Sequence, residues 1–450
     1  MTLTVVNPAT EEPLAELEHA GVDEADEAVA RAKAAFPAWR AVSPADRARL
    51  LRRLATLVEE NSEELARIES QNVGKPIAGA RGEIGMVGQV FHFYAGAIDK
   101  HGGETIPVAG GVAATFREPL GVVGLIVPWN FPANIASWKL GPALACANTV
   151  VLKPAELTPL SALRLGELAL DAGIPDGVVN VLVGKGSVVG QRLIEHPDVA
   201  KIAFTGSTEV GRLVMQGAAG TIKRVTLELG GKSANVVFED ADLERAAAAA
   251  PYSVFDNAGQ DCCARSRILV QRSVYDRFLD LLVDATRGVK VGDPTDESTE
   301  MGPLVSAAHR ETVASFVEGD PTFRGEVPDG PGFWYPCTLV EASNADRVAR
   351  EEVFGPVAAV IPFEDEADAI RLTNDTPYGL SGSIWTRDGA RALRVVRATD
   401  AGALSVNANT SVRVQTPFGG FKQSGFGREL GMHALDGYSE VKSVFISTEG

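Results

Sequence analysis

Four stretches of this sequence carry side chains able to do chemistry. Cys262 lies in Asn257-Ala258-Gly259-Gln260-Asp261-Cys262-Cys263-Ala264. Gly259 permits close backbone approach, and a thiolate is the strongest side-chain nucleophile near neutral pH. Alone, the segment reads equally as a buried, inert cysteine, since free Cys is among the most buried residue types. Glu228 stands in Leu227-Glu228-Leu229-Gly230-Gly231-Lys232, between two leucines at a strand end. Apolar surroundings raise a carboxyl pKa and suit a general base; the alternative is an edge Glu bonding the following turn. Asn130, in Pro128-Trp129-Asn130-Phe131-Pro132, falls at a strand-to-helix turn. Its NH₂ either donates to a developing oxyanion, on the order of a few kcal/mol, or caps the helix. Phe204-Thr205-Gly206-Ser207-Thr208-Glu209-Val210-Gly211 offers N–H groups and a helix dipole to a phosphate. It lacks GxGxxG spacing and also reads as an ordinary capped helix start.

The elements that must position these residues follow from hydrophobic spacing. The first hundred residues read mostly helical: Asp23–Trp39, a helix opened by the cap Ser43-Pro44-Ala45-Asp46 and continued over Arg47–Gln71, and a third helix over Gly79–Lys100. Gly102–Glu118 reads as a β-hairpin or arm. From Gly121 short apolar runs (122–127, 149–152, 178–183, 202–204 and 224–229) alternate with helices, which predicts a parallel, doubly wound sheet that binds ligands at its strands' carboxyl ends. A second α/β series starts near Ser233, with strands at 235–238, 268–271, 357–362, 381–385 and 404–407. Val317–Gly332 reads as a compact loop and Tyr438–Ser447 as an edge strand.

Composition bounds the function. Of 450 residues, 45% are hydrophobic and 22% charged, an ordinary globular balance. A net charge of −17 argues against nucleic-acid or anionic-membrane partners, which need clustered Lys and Arg. The longest uncharged run, Pro119–Trp138, carries three prolines and reads as strand, turn and helix rather than a membrane span. Four cysteines, two of them adjacent, make no disulfide framework, and no signal peptide is read, so a cytoplasmic, reducing setting is expected. Six histidines show no paired ligand spacing, so no catalytic metal is expected.

Together these residues resemble the aldehyde dehydrogenase superfamily. The resemblance spans nearly the whole chain. It rests on Pro128–Pro132, Trp138–Leu144, Lys153-Pro-Ala-Glu156, Phe204–Thr208, Leu227–Lys232, Gly259–Cys262, Glu351-Glu-Val-Phe-Gly-Pro356, Asn374–Leu380 and Pro417–Gly425, in family order. It implies an α/β fold of two doubly wound domains plus a small β oligomerisation arm. The implied parts are a dinucleotide-binding domain (1–100 and 120–231), a catalytic domain (232–437) and the arm (101–119 and 438–450). It implies Cys262 as nucleophile, Glu228 as general base, and Asn130 with the Cys262 N–H as oxyanion donors. Lys153 and Glu156 match positions at the adenosine ribose, where the carboxylate favours NAD over NADP. Trp129, Gly206 and Ser207 match other cofactor contacts, and Glu352 and Phe354 the nicotinamide-ribose clamp. The atypical cofactor fold of that family accounts for the missing GxGxxG. A glutamate at 228 favours hydrolytic release of a free acid, and a homodimer or homotetramer is implied.

For the substrate, the resemblance implies a lining that includes Phe131, Trp138 and Phe418, hence an aromatic tunnel. Asp261 and Asp256 suggest an acid for a substrate ammonium, so an ω-aminoaldehyde such as 4-aminobutanal is expected. Arg413, in Thr410–Pro417, points instead to a semialdehyde such as succinate semialdehyde. A broad aldehyde dehydrogenase, a cysteine esterase using Cys262 without redox chemistry, and a non-enzymatic binding protein are the other readings. Cys263 is expected to point away from Cys262.

Overall fold

The computed structural model describes residues 2–410 and 412–449. Met1, Ser411 and Gly450, which the expected segments include, lie outside them. The first sheet holds five parallel strands, Val122–Ile126, Thr149–Lys153, Val179–Val181, Val199–Thr205 and Arg224–Glu228. From Val122–Ile126 the chain adds two strands on one side, then crosses back to add two on the other. That reversal opens a crevice at the carboxyl ends, the usual ligand position in such sheets. Every residue of Val122–Ile126 and Thr149–Lys153 is buried, because helices cover both faces. Alternate side chains serve different cores. Val123, Leu125, Val150 and Leu152 pack with helices Pro44–Glu60, Ile77–Ala97, Pro132–Ala145 and Leu160–Asp171. Val122, Ile126 and Val151 pack with Val29, Leu193 and Val214 on the opposite face.

The second sheet orders its strands Phe323–Arg324, Thr338–Glu341, Val357–Phe363, Arg267–Gln271, Ala234–Val237, Ser381–Trp385 and Ala403–Val406. All are parallel except the first pair. Strand Arg224–Glu228 runs through Leu229–Ser233 straight into Ala234–Val237, so the carboxyl end of one sheet leads into the amino end of the other. The segment 232–437 does not pack as one block. Val414, Phe418, Leu430 and Leu435 return to the first core, and Gly425–Phe426 pairs antiparallel with Leu227 and Glu228.

Several local expectations change: the helix expected through Gln71 breaks at Asn61 into Pro44–Glu60 and Ser62–Val73, and the expected loop 317–332 contains the short strand Phe323–Arg324. The first hundred residues open with an antiparallel hairpin, Thr2–Val6 against Pro13–Glu18, rather than with helix alone. Only Val5 is buried there, so alternation was too faint to read. The third helix spans Ile77–Ala97, and a short 3₁₀ turn, Ile98–Lys100, completes it. The arm is a three-stranded antiparallel sheet of Thr105–Val108, Gly111–Pro119 and Ser439–Ser447. It leaves Phe116, Val441, Phe445 and Ile446 exposed. Among the described residues, no helix is long and apolar enough to cross a membrane.

Candidate active site

The carboxyl edge of the first sheet gathers one set of residues. Ser207 caps helix Thr208–Ala219, its hydroxyl accepting from the Val210 N–H at 3.3 Å. The helix's first free N–H groups therefore sit at the end of strand Val199–Thr205, an anion-favouring position. Lys153 ends its strand almost fully buried, and its ammonium makes no hydrogen bond among the described residues. Burial lowers its pKa, against the nearby Glu156 charge. Glu156 accepts from the Gly186 N–H at 3.4 Å and lies 3.7 Å from His19 Nε2. An unengaged donor, a neighbouring carboxylate and a free helix start fit the ribose hydroxyls and pyrophosphate of a dinucleotide.

Across the cleft, Trp129 meets Phe354 and His309 edge-on, each at 5.3 Å between centroids. His309 holds the Phe354 carbonyl through Nε2 at 2.7 Å, with Phe354 at a left-handed φ of 56°. Glu352 accepts from the Gly231 N–H at 2.9 Å. A Cβ at Gly230 would meet the Glu352 carboxylate, so any larger residue there would displace that carboxylate from the Gly231 N–H. Burial raises Glu352 to about 7.

The Cys262 loop enters the second sheet at its amino edge, ahead of strand Arg267–Gln271. Helix Leu243–Phe255 ends in three left-handed residues, Asn257 (φ 50°), Ala258 (φ 55°) and Gly259 (φ 71°). Each non-glycine one costs roughly 1–2 kcal/mol. At Gly259 a Cβ would collide with the Gly355 carbonyl. Buried bonds hold this shape. Gln260 Nε2 donates to the Asn257 carbonyl at 2.9 Å, and Val305 N–H to Gln260 Oε1 at 2.9 Å. Asn130 Nδ2 donates to the Gln260 carbonyl at 2.9 Å, and Asn257 Nδ2 to the Asn130 carbonyl at 3.0 Å. The helix-cap reading of Asn130 fails: Phe131 is the N-cap of Pro132–Ala145, and no side chain caps it. One amide N–H of Asn130 instead steadies the loop two residues before Cys262, leaving the second to donate elsewhere.

Cys263 does not point away from Cys262. The side-chain donor atoms of Asp261, Cys262 and Cys263 lie within 4.8 Å of one another. A turn closed by Ala264 N–H to the Asp261 carbonyl (3.0 Å) brings them together, whereas an extended strand would set neighbours on opposite faces. Asp261 accepts from the Cys263 N–H at 2.9 Å. A hydrogen bond with Cys263, then burial and the Asp261 and Glu352 charges, push the Cys262 thiol well above its usual range. It rests protonated.

Glu228 ends strand Arg224–Glu228, buried, and neither carboxyl oxygen has a hydrogen-bond partner among the described residues. It therefore does not bond the following turn. Burial, then the Glu429 charge, raise its pKa well above the usual carboxyl range, against Lys139 and Arg428. Lys139 and Glu429 form a buried pair at 2.6 Å. A buried carboxyl without a partner is uncommon in folded proteins.

A cavity of about 510 Å³ leads to Cys262, lined by Phe131, Trp138, Phe418, Tyr252, Asp256, Asp261, Glu83 and Arg265 among others. Trp138 and Phe418 meet edge-on at 5.3 Å. Lys75, missed in the sequence, bonds Glu83 at 2.5 Å and the Asn130 carbonyl at 3.0 Å, lies 3.4 Å from Glu69, and sits over Phe131 at 4.5 Å. Burial and the Asp261 charge raise Asp256 to about 6. Burial raises Glu83 to about 8 despite Lys75. Arg413 does not line this cavity. It is exposed and bonds the Thr410 carbonyl at 3.3 Å, because Val412 and Val414 on either side turn inward. Lys75, Glu83, Asn257 and Gln260 could not be found from spacing, since only tertiary packing brings them to Asn130 and the tunnel.

The family model described as "Aldehyde dehydrogenase family" matches residues 1–444. The chain is 41% identical to a betaine aldehyde dehydrogenase of Bacillus subtilis (strain 168) over 461 residues, covering 99% of this chain and 94% of the relative. It superposes on PnpE, known from Pseudomonas sp. WBC-3 and solved with nicotinamide adenine dinucleotide, at a TM-score of 0.98 and 44% identity, covering 100% and 95% of the two chains. It superposes on a Staphylococcus aureus betaine aldehyde dehydrogenase in complex with NAD⁺ at 0.97 and 37%, covering 100% and 92%. With the family model matched over nearly the whole chain and relatives above 40% identity, this chain belongs to the aldehyde dehydrogenase family and is an oxidoreductase.

Proposed function

We propose that the aldehyde this enzyme oxidises with NAD carries a positive charge at its far end, as 4-aminobutanal does. The observation that carries this reading is a charge shortfall around the tunnel. Four carboxylates (Glu69, Glu83, Asp256 and Asp261) face two cations, Lys75 and Arg265. Burial and mutual repulsion hold Asp256 and Glu83 toward their neutral forms. A substrate ammonium supplies the missing charge, and Phe131, Trp138 and Phe418 take the alkyl stem. The betaine aldehyde for which two similar proteins are named also carries a fixed cation.

In the proposed mechanism, Cys262 gives its proton through water to solvent, and its sulfur bonds the aldehyde carbon. The free N–H of Asn130 and the Cys262 backbone N–H hold the resulting oxyanion. NAD, when bound, accepts the hydride that leaves this carbon. Ser207 would hold its pyrophosphate, Lys153 and Glu156 its adenosine ribose, and Glu352 its nicotinamide ribose. Trp129, Phe354 and the close turn at Gly206 shape the rest of that cleft. The acyl group remains on Cys262 as a thioester. Glu228, poised by burial, takes a proton from water, whose oxygen bonds the acyl carbon as the sulfur leaves. Aldehyde, NAD⁺ and water thus give acid, NADH and a proton. The apolar arm pairs with a second copy in a dimer or tetramer, and a reducing compartment such as the cytoplasm keeps the adjacent thiols free.

An aldehyde panel read by NADH formation tests this. 4-Aminobutanal and betaine aldehyde should exceed butanal in kcat/KM by about tenfold or more, with succinate semialdehyde slowest. Equal kcat/KM for succinate semialdehyde and 4-aminobutanal would overturn the cationic reading. Ester hydrolysis faster than aldehyde oxidation, without NAD, would favour the esterase.

A further inference from the structure

A second cavity lies at the root of the arm and shares no lining residue with the tunnel. Its volume is about 230 Å³, room for roughly seven waters. Arg40, Arg47, His101, Arg117, Cys146 and Ser439 line it, together with the carboxylate of Glu118. That carboxylate is already shared: Arg40 bonds one oxygen at 2.6 Å and Lys442 the other at 2.8 Å. Arg117 pairs with Asp436 at 2.9 Å. Arg47 donates through Nη1 to the Val42 carbonyl at 2.5 Å and has no carboxylate partner among the described residues. Four cations therefore meet two carboxylates, a local excess of positive charge in a chain of net charge −17. The neutral groups do not correct it. Burial pushes the Cys146 thiol up to about 12, so it carries no negative charge. Burial and Arg117 push His101 down, so its ring, 3.0 Å from Ser439 Oγ, is a neutral polar wall.

We propose that this cavity binds a phosphate-class oxyanion between Arg47, Arg40 and Arg117. Guanidinium forks match tetrahedral oxyanions, and an unpaired, partly buried one is stabilised by such a partner. The site is separate from the dinucleotide edge, so it is testable with that edge filled.

The experiment is calorimetric titration of inorganic phosphate into the full chain saturated with NAD, with ionic strength held constant by sodium chloride. One phosphate per chain is expected. Arg47→Met should weaken it at least tenfold and Arg47→Lys less, with kcat for aldehyde oxidation unchanged in both as proof of folding. A parallel titration with glycerol phosphate separates the two sources: tighter binding assigns the site to a phosphate monoester, weaker binding to the free ion. Absence of saturable heat, or wild-type affinity in both Arg47 variants, overturns the proposal.

Discussion

The two parallel sheets contribute opposite ends to one cleft. The first presents the carboxyl ends of its strands, where Lys153, Glu156 and Ser207 stand at strand ends or a helix start. The second presents its amino ends, where Cys262, Glu352 and Phe354 ride on loops entering the strands. Backbone dipoles and free N–H groups make the first edge a ready receptor for anions. The second edge has no such gift. Its side chains are held by left-handed residues, by glycines that admit close contacts, and by buried hydrogen bonds through Gln260 and Asn257. Regular structure shapes the first edge, and irregular structure holds the thiol at the second.

Substitutions that strike one edge at a time sharpen this division. Cys262→Ala should cost on the order of 10⁴-fold or more in steady NADH formation, since the covalent route is lost. Glu228→Gln should lower steady turnover by about 10²- to 10⁴-fold yet keep a first-turnover burst of NADH in rapid-mixing absorbance. A variant without the burst would mean Glu228 serves acylation as well. Asp256→Asn should lower kcat/KM for 4-aminobutanal by about tenfold or more and leave butanal within about twofold. The same charge gives a pH signature. Asp256 near 6 and Glu83 near 8 ionise as pH rises, and the substrate amine stays protonated near 10. KM for 4-aminobutanal should therefore fall between pH 5 and 8, while KM for butanal stays flat; parallel profiles would break the reading. Arg413→Ala should change succinate semialdehyde kinetics by less than about twofold, because that side chain faces solvent.

The strand–helix alternation was legible because each buried strand is a short, uninterrupted apolar run. Ser381–Trp385 is found at the bounds read from sequence. Motif residues at strand ends were legible for the same reason, since a turn after an apolar run fixes where a side chain emerges. Parity was the weak point. Arg413 lies between two inward-facing valines and so faces solvent. Cys263 lies in a turn, where neighbouring side chains need not alternate. Lys75 lies in the turn after helix Ser62–Val73, and Glu83 on Ile77–Ala97. Nothing in their local spacing indicates that Lys75 donates both to the Glu83 carboxylate and to the Asn130 carbonyl.

The strand carrying Glu228 is clamped from far along the chain: Gly425 and Phe426 pair with Glu228 and Leu227, and the Leu229 N–H donates to the Ser424 carbonyl. Phe418 and Glu429 close the same region through mutual backbone bonds. During synthesis Cys262 leaves the ribosome more than 150 residues before these clamps exist. A nascent chain thus carries its thiol for many seconds, at about 5–20 residues per second, before the pocket that makes it an enzyme can close.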